Sequence, residues 1–116
     1  MAGIESPAVR IGGRLKASDI PDALTHAPFT YADGATQIFT PDRRTIYSEN
    51  GVPTVGEWGV TDQGHFWSFW PPNYRADYDV FYVLEDEKVV GVRFIELTHG
   101  ATSEGRYTPG NSDVPQ

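Results

Sequence analysis

The chain has 116 residues, a formal net charge of −7 and no cysteine. This length supports one domain with a single core, and the lack of cysteine excludes disulfides and thiolate metal sites, as is usual in the cytoplasm. The acidic charge argues against nucleic acid and anionic membranes, because both are bound through Lys and Arg that face phosphates. The sequence also has no apolar run of signal-peptide or transmembrane length. We therefore expect a cytoplasmic protein with neither nucleic acid nor a membrane as a partner.

The first part of the chain is predicted to be a tail followed by one short helix. Residues 1–13 mix Gly, Pro and Ala without a pattern, which is typical of a loose terminus. In the segment Leu15–His26, Ser18 can cap a helix and Pro21 suits its first turn. The apolar positions of this segment, Ile20, Ala23 and Leu24, fall on one side. A helix this short is stable only when it packs against a larger body.

From Phe29 onward the chain is predicted to consist of strands. Turn residues separate eight segments in which apolar and polar residues alternate, and this period of two is the pattern of strands. The segments are Phe29–Tyr31, Thr36–Phe39, Arg44–Ser48, Glu57–Thr61, His65–Trp70, Tyr78–Leu84, Val89–Leu97 and Gly105–Tyr107. Their spacing of about eight to fourteen residues indicates an antiparallel meander, closed as a barrel or folded as a sandwich. We predict an all-β protein, an antiparallel up-and-down β-barrel of seven or eight strands over residues 14–110, with a tail at 111–116.

The register of the first aromatic hairpin follows from its loop, Asp62-Gln63-Gly64, which has Gly where a positive φ is needed. A three-residue loop pairs Thr61 with His65, and it therefore sets Trp58 opposite Ser68. The inward face is then predicted to hold Trp58, Val60, Phe66, Ser68 and Trp70. The outward face carries Trp67 and Phe69, and exposed rings of this kind usually mark a contact. We therefore predict a homodimer through Trp67 and Phe69.

The second hairpin has a charged turn centred between Asp86 and Glu87, which pairs Leu84 with Val89. The more apolar of its two faces, predicted to point inward, carries Asp79, Phe81, Val83, Val90, Val92 and Phe94. A shift by one residue exchanges the two faces. In that case Arg93 and the tyrosines of this hairpin line the interior instead of Asp79.

An interior with many aromatic rings and a few polar groups is typical of a small-molecule pocket in a barrel. The same rings could also fill the barrel as plain core, and both interpretations stay open from the sequence. The predicted ligand contacts are Tyr47, Trp58, Phe66, Ser68, Trp70, Phe81 and Phe94. The predicted function is the binding of a small hydrophobic or aromatic molecule, without a cofactor.

The alternative is a cofactor-independent lyase or isomerase, of decarboxylase, hydratase or cyclase type. It requires a buried carboxylate, whose pKa burial raises toward neutrality so that it can transfer protons. Asp79 is the candidate acid or base, with Tyr82, Arg93 or Tyr47 as its partners. Asp79 could equally have a structural role, bonded to Arg93, Arg75 or a backbone amide at a strand end. The three histidines have no metal-ligand spacing, so we predict no metal site.

Short motifs across the chain resemble one known family. They are Gly56-Glu57-Trp58-Gly59-Val60, the run from Gly64 to Trp70-Pro71-Pro72, Tyr78-Asp79-Val80 and Val92-Arg93-Phe94. Together with Leu15–Leu24 and Gly105-Arg106-Tyr107, they are similar to the small calycin (lipocalin-like) barrels of bacteria, in particular the MoaF-like branch. This resemblance covers about residues 15 to 110. It implies an antiparallel calycin barrel with a central cavity for a small hydrophobic or aromatic molecule, and no defined reaction.

Overall fold

The computed structural model describes residues 9–108, and this part of the chain is built almost entirely from β-strands. A 3-10 turn, Ala17–Asp19, leads into the helix α1, Ile20–Thr25. The strands are β1 Val9–Arg14, β2 Phe29–Thr30, β3 Thr36–Phe39, β4 Arg44–Glu49, β5 Val52–Val60, β6 Phe66–Trp70, β7 Tyr74–Glu85, β8 Lys88–Glu96 and β9 Thr102–Tyr107. The predicted all-β class is confirmed.

Eight of the described strands form a closed barrel. Each strand from β2 to β9 pairs antiparallel with the next one along the chain, and β9 pairs with β2 to close the ring. The closing pair is short, with only Phe29 opposite Tyr107 and Thr30 opposite Arg106. An up-and-down barrel of seven or eight strands was predicted, and the observed eight-stranded ring is consistent with a calycin-like fold.

Strand β1 lies outside the ring and extends it along one edge of β7. Val9 pairs with Glu85 and Ile11 with Val83, beyond the part of β7 that pairs with β6. These residues belong to the segment 1–13 that was predicted to be a tail, and that prediction does not hold from Val9 to Gly13, which form most of β1. Gly12 and Gly13 conceal the alternation of this strand in the sequence. Residues 1–8 and the predicted C-terminal tail, 111–116, lie outside the described residues.

The helix covers one end of the barrel, as its apolar side predicted. Ile20, Ala23 and Leu24 are buried, and the hydroxyl of Tyr107 in β9 donates a hydrogen bond to the carbonyl of Ala23 over 2.7 Å. Pro21 lies in the first turn, as predicted, but the residue before α1 is Asp19 rather than the predicted cap Ser18. Within residues 9–108, no helix combines the length and the apolar character needed to cross a membrane.

The register of the β5–β6 hairpin is as predicted. Trp58 lies opposite Ser68, and Val60 lies opposite Phe66. The side chains of Trp58, Phe66 and Ser68 are buried inside the barrel. The three-residue loop thus fixed both the pairing and the inward face of this hairpin.

The register of the β7–β8 hairpin differs from the prediction. Leu84 pairs with Val89 as expected, but Val83 pairs with Gly91, which leaves Val90 as an extra residue in β8. A bulge of this kind reverses which face of one strand matches a given face of the other. Val80 is therefore opposite Phe94 and points inward with Tyr78 and Tyr82. The predicted inward orientation of Asp79 and Phe81 is wrong, because both flank Val80, which is fully buried opposite Phe94.

Candidate functional site

A cavity of about 670 Å³ lies inside the barrel, at the end away from α1. The start of β9, Thr102 to Glu104, lines this cavity, whereas Tyr107 at the other end of β9 contacts α1. The turn between β2 and β3, from Tyr31 to Asp33, lines it as well. The loops at this end therefore form a mouth, and the helix closes the opposite end.

Three phenylalanines form the floor of the cavity. The ring centroids of Phe39 and Phe66 are 5.7 Å apart, those of Phe66 and Phe94 are 5.3 Å apart, and those of Phe39 and Phe94 are 6.4 Å apart. Trp58 and Phe29 are fully buried below this layer and contact Phe39 edge to face. Fully buried side chains thus support the floor, and the part of the cavity next to the floor is apolar.

The walls carry further rings. The centroids of Tyr31 and Tyr47 are 6.1 Å apart and tilted by 49°, and those of Tyr47 and Trp70 are 6.4 Å apart and nearly perpendicular, at 73°. Tyr78 on β7 contacts Phe66 of the floor at 5.3 Å. An apolar or aromatic molecule in this space would meet ring faces or edges on most sides.

A chain of hydrogen bonds fixes the polar groups of one wall. The hydroxyl of Tyr31 donates to Oε1 of Gln37 over 2.6 Å, and Nε2 of Gln37 donates to Oγ1 of Thr45 over 2.8 Å. The Thr45 hydroxyl then donates to the carbonyl of Ile38 over 2.9 Å. Gln37 and Thr45 are buried, and within residues 9–108 no buried side-chain N or O atom lacks a partner. This wall is therefore preorganised and electrically neutral.

The phenols of the cavity stay protonated at neutral pH. Burial raises the pKa of Tyr31, and the neighbouring Tyr47 and Tyr78 raise it further. Burial also raises the pKa of Tyr78, while a hydrogen bond with Ser68 partly lowers it. For Tyr47, burial is again the largest cause of a raised pKa, followed by the negative charges of Glu49 and Asp33. All three phenols can therefore act as neutral donors or acceptors toward a ligand.

Replacing Tyr31 with phenylalanine is expected to reduce the loss of stability at alkaline pH. The pKa of Tyr31 in the folded protein lies above its usual value of 10, so the unfolded chain releases this proton first as the pH rises. The stabilising effect of the buried phenol is thus fully present below pH 10 and is lost as the pH rises above that value. Urea unfolding at neutral pH and above pH 10 should show a smaller fall in midpoint for Tyr31→Phe than for the wild type.

The control for this measurement is Tyr74→Phe, because the Tyr74 side chain is 57% exposed. This variant should follow the alkaline fall of the wild-type midpoint. At neutral pH, Tyr31→Phe should also lose roughly 1 kcal/mol, since Gln37 loses its donor. If the urea midpoint fell by the same amount between neutral and alkaline pH in Tyr31→Phe and in the wild type, the burial of this phenol would be contradicted.

The rim of the mouth carries the charged groups of the site. Arg93 donates from its guanidinium to Glu104 over 3.0 Å, and Glu104 also accepts a bond from Arg106 over 3.3 Å. Asp33 lines the cavity and accepts a hydrogen bond from the backbone amide of Ala35 over 3.0 Å. Within residues 9–108, at the rim or elsewhere, no group of three or more His, Asp or Glu side chains is arranged to hold a metal ion.

Most of the predicted ligand contacts lie around the cavity. The lining includes Tyr47, Phe66, Ser68, Trp70 and Phe94, and also Arg93 at the rim. Trp58 does not line it, because it lies below the floor, where its indole N–H donates to the carbonyl of Thr40 over 3.1 Å. Phe81 does not line it either, because the bulge in β8 turns its side of β7 outward.

The predicted catalytic group is not assembled. Asp79 lies on the outer surface, where its Oδ1 accepts a bond from Nε of Arg14 over 2.8 Å and lies 3.0 Å from Nδ1 of His65. Arg14 also donates to the carbonyls of Gln63 and Gly64. This cluster connects the end of β1 with the β5–β6 loop and β7. Asp79 thus has a structural ion pair, as the alternative predicted, but its partners are Arg14 and His65 rather than Arg93 or Arg75.

Tyr82, the second predicted catalytic residue, points inward at the other end of the barrel. It packs against the core near α1, and its pKa is raised by burial and then by the charges of Asp19 and Asp22 at the start of the helix. Arg93 is the one predicted catalytic residue that reaches the cavity. The structure therefore does not bring Asp79, Tyr82 and Arg93 together.

Several lining residues were not predicted as site residues, among them Phe39 of the floor and Tyr31, Gln37 and Tyr78 of the walls. A signal for two of them was present in the sequence. Tyr31 is two positions after Phe29, and Gln37 is two positions before Phe39, so each shares the inward face of its strand with a buried ring. The inward orientation of Tyr78 was not predicted, because of the same bulge in β8 that makes the predicted orientation of Asp79 wrong.

The outward rings Trp67 and Phe69 are covered unequally by their own chain. Trp67 lies over Gly59, where an added Cβ would come within 2.6 Å of the indole, and the Arg75 guanidinium is 4.8 Å from the ring centroid. Phe69 lies between Glu57 and Arg75 in the sheet. The homodimer through these two residues stays a prediction.

Comparisons with models of protein families, with curated proteins and with solved structures find no match for this chain. The fold alone therefore defines its class, a closed antiparallel barrel consistent with the calycin-like type. Nothing in the comparisons supports the finer resemblance to the MoaF-like branch. The function of this protein is therefore proposed from the residues that line the cavity.

Proposed function

We propose that this protein binds a small apolar or aromatic molecule in the cavity of its barrel. The observation that carries this proposal is the cavity of about 670 Å³ between a floor of three phenylalanines and walls of tyrosine and tryptophan. Ligand sites in proteins typically measure about 300 to 1,000 Å³ and are lined mainly by apolar and aromatic side chains with a few polar groups. The size and the lining of this cavity both fall within that description.

The polar groups of the cavity favour one orientation of the ligand. The Phe floor offers no hydrogen bond, whereas the hydroxyl groups of Tyr31, Tyr78 and Ser68 belong to the other lining residues. A ligand with one polar end would place its apolar part on the floor and its polar end toward the mouth, because a polar group buried without a partner costs about 1 to 3 kcal/mol. The fixed bonds of Tyr31 and Gln37 reduce the ordering needed on binding.

Titration with phenylnaphthylamine, a neutral dye that fluoresces in apolar surroundings, tests the proposal. This dye has about 17 non-hydrogen atoms, and drug-sized ligands gain about 0.3 kcal/mol per atom, so we expect about 5 kcal/mol of binding free energy, a dissociation constant on the order of 100 μM. The dye should bind saturably with one site per chain and quench Trp70 in the wall.

Filling the cavity provides the matched variant. Ser68 is 3% exposed and lines the cavity, so Ser68→Leu places a larger side chain in the ligand's space and should weaken the dye by about tenfold or more. Ser48→Leu makes the same change on the outer face of β4 and should leave the affinity unchanged. Absence of saturable binding by the wild type, or equal affinity in Ser68→Leu when its unfolding curve is intact, would overturn the proposal.

The enzyme alternative receives no support from a specific observation. A cofactor-independent lyase or isomerase needs an acid or base inside the cavity. Asp79 bonds with Arg14 and His65 outside the barrel, and Tyr82 lies near α1. We therefore propose the binding function alone.

A further inference from the structure

This inference rests on the proposed function and concerns the charge of the ligand. The mouth of the cavity contains an aromatic corner, which we define as Tyr31, Tyr47 and Trp70. Tyr47 stands between the other two rings, at 6.1 Å from Tyr31 and 6.4 Å from Trp70, and it is almost perpendicular to Trp70. A cation is attracted by the face of an aromatic ring when it lies within about 6 Å of the ring centre. Rings that meet at a steep angle present two such faces to one small group.

The carboxylates near the aromatic corner leave a negative charge at the mouth. Asp33 lines the cavity, and Glu49 follows Tyr47 by two positions, on the same side of β4. Both act on the phenol of Tyr47, whose pKa their charges raise. Among residues 9–108, neither Asp33 nor Glu49 has a basic side chain within ion-pair distance.

The basic side chain in the lining is already neutralised. Arg93 lies 3.0 Å from Glu104, which is also 3.3 Å from Arg106. An anionic ligand would have to displace Glu104 in order to bind Arg93, and it would also face Asp33. A neutral or cationic group meets neither obstacle. The net charge of −7 adds a long-range attraction for cations.

We propose that the natural ligand is a cationic amphiphile, an aromatic or apolar molecule that bears a protonated or quaternary amine. Its apolar part lies on the Phe floor, and its ammonium group lies in the aromatic corner, close to Asp33 and Glu49. On binding, the ammonium group loses contacts with water and gains contacts with aromatic ring faces and nearby carboxylates. The preference is therefore for a positive charge at one end of the ligand.

Three compounds with the same ring system separate charge from shape: naphthylethylammonium, naphthylethanol and naphthylacetate. Isothermal titration calorimetry with the full chain measures each one directly. We expect the ammonium to bind about tenfold tighter than the alcohol, as a partly desolvated cation–π contact gives, and the carboxylate to bind more weakly than the alcohol. The difference between ammonium and alcohol should shrink with added salt, because Asp33 and Glu49 are near solvent.

Charge-neutralising variants assign the preference to the mouth. Asp33→Asn keeps an oxygen for the amide of Ala35, and Glu49→Gln keeps the shape of the side chain. Each should lower the affinity for the ammonium by about threefold and change the affinity for the alcohol by less than that. Asp62→Asn removes the same charge in the β5–β6 loop, at the other end of the barrel, and should change neither affinity.

The outcomes distinguish this inference from the proposed function. If the alcohol and phenylnaphthylamine bind but the ammonium is no tighter than the alcohol, the cationic preference is wrong and the binding function stands. Tighter binding of the carboxylate would also overturn the inference, and would point to Arg93 as the recognition group. If none of the compounds binds, both proposals fail together.

Discussion

Replacing Trp58 with alanine is expected to lower the free energy of unfolding by about 3 to 5 kcal/mol. The Trp58 side chain is fully buried below the cavity floor, where it contacts Phe39 and Phe66 at centroid distances of 5.8 and 6.4 Å. Its removal would leave a void that the closed barrel cannot collapse to fill, and it would remove one of the two donors to the carbonyl of Thr40, the other being the Arg43 amide. Urea unfolding monitored by circular dichroism measures the change.

Trp67→Ala is the matched control, because it removes the same side chain from the outer face of the neighbouring strand. Trp67 contacts Gly59 and Arg75 but remains partly exposed, so we expect it to lose less than half as much stability. Equal losses for the two variants would mean that Trp58 is not the support of the floor. If Trp58→Ala kept the wild-type stability, the packing of Trp58 against Phe39 and Phe66 below the cavity floor would be contradicted.

Replacing Gly91 with alanine is expected to cost roughly 3 kcal/mol, near the upper end of the usual cost of overpacking. An added Cβ at this position would overlap the backbone carbonyl oxygen of Gly105 and come within 2.9 Å of Cα of Arg106. Both atoms belong to β9, which pairs with β8 here, so neither can move without disturbing the ladder. Urea unfolding should show a large fall in midpoint with an unchanged slope.

Gly13→Ala provides the control for this change. Gly13 lies in β1, and an added Cβ would meet no atom within 4 Å. Its unfolding midpoint should stay close to that of the wild type or rise slightly, because alanine restricts the unfolded chain. If Gly91→Ala behaved like Gly13→Ala, the close approach of β8 and β9 beside the bulge would be refuted.

The sequence predicted the barrel well because local signals determine most of its hairpins. The loop Asp62-Gln63-Gly64 has one compatible length, and its neighbours alternate clearly, so the inward positions of Trp58, Phe66 and Ser68 could be assigned. The spacing of the segments likewise predicted the meander. Local chemistry was sufficient wherever a turn and an alternating pattern agreed.

The β7–β8 hairpin could not be assigned in this way, because both faces of β7 are apolar. Tyr78, Val80 and Tyr82 alternate with Asp79, Phe81 and Val83, so composition did not decide which set points inward. The turn was predicted correctly, but nothing in the sequence marked Val90 as an extra residue. One bulge therefore moved Asp79 and Phe81 out of the site and brought Tyr78 into it.

The contacts of Asp79 were beyond the sequence for a different reason. Its partner Arg14 lies 65 positions earlier, in a segment where Gly12 and Gly13 interrupt the strand pattern. Contacts at such separations depend on the closed fold rather than on local propensity. The same holds for the aromatic corner, whose three rings come from separate elements.

The shortest pair of strands has a consequence for how this barrel can deform. Between β2 and β9 the ladder has two residue pairs, and around it the Thr30 and Thr108 hydroxyls lie 2.6 Å apart while the Thr108 amide donates to the carbonyl of Pro28. The fully buried ring of Phe29 stacks on Tyr107 with centroids 5.1 Å apart, directly at this seam. The stacked rings of Phe29 and Tyr107, together with only a short row of backbone hydrogen bonds, therefore close the barrel. We therefore expect any transient opening of the barrel wall to begin at this seam, because the fewest backbone hydrogen bonds have to break there.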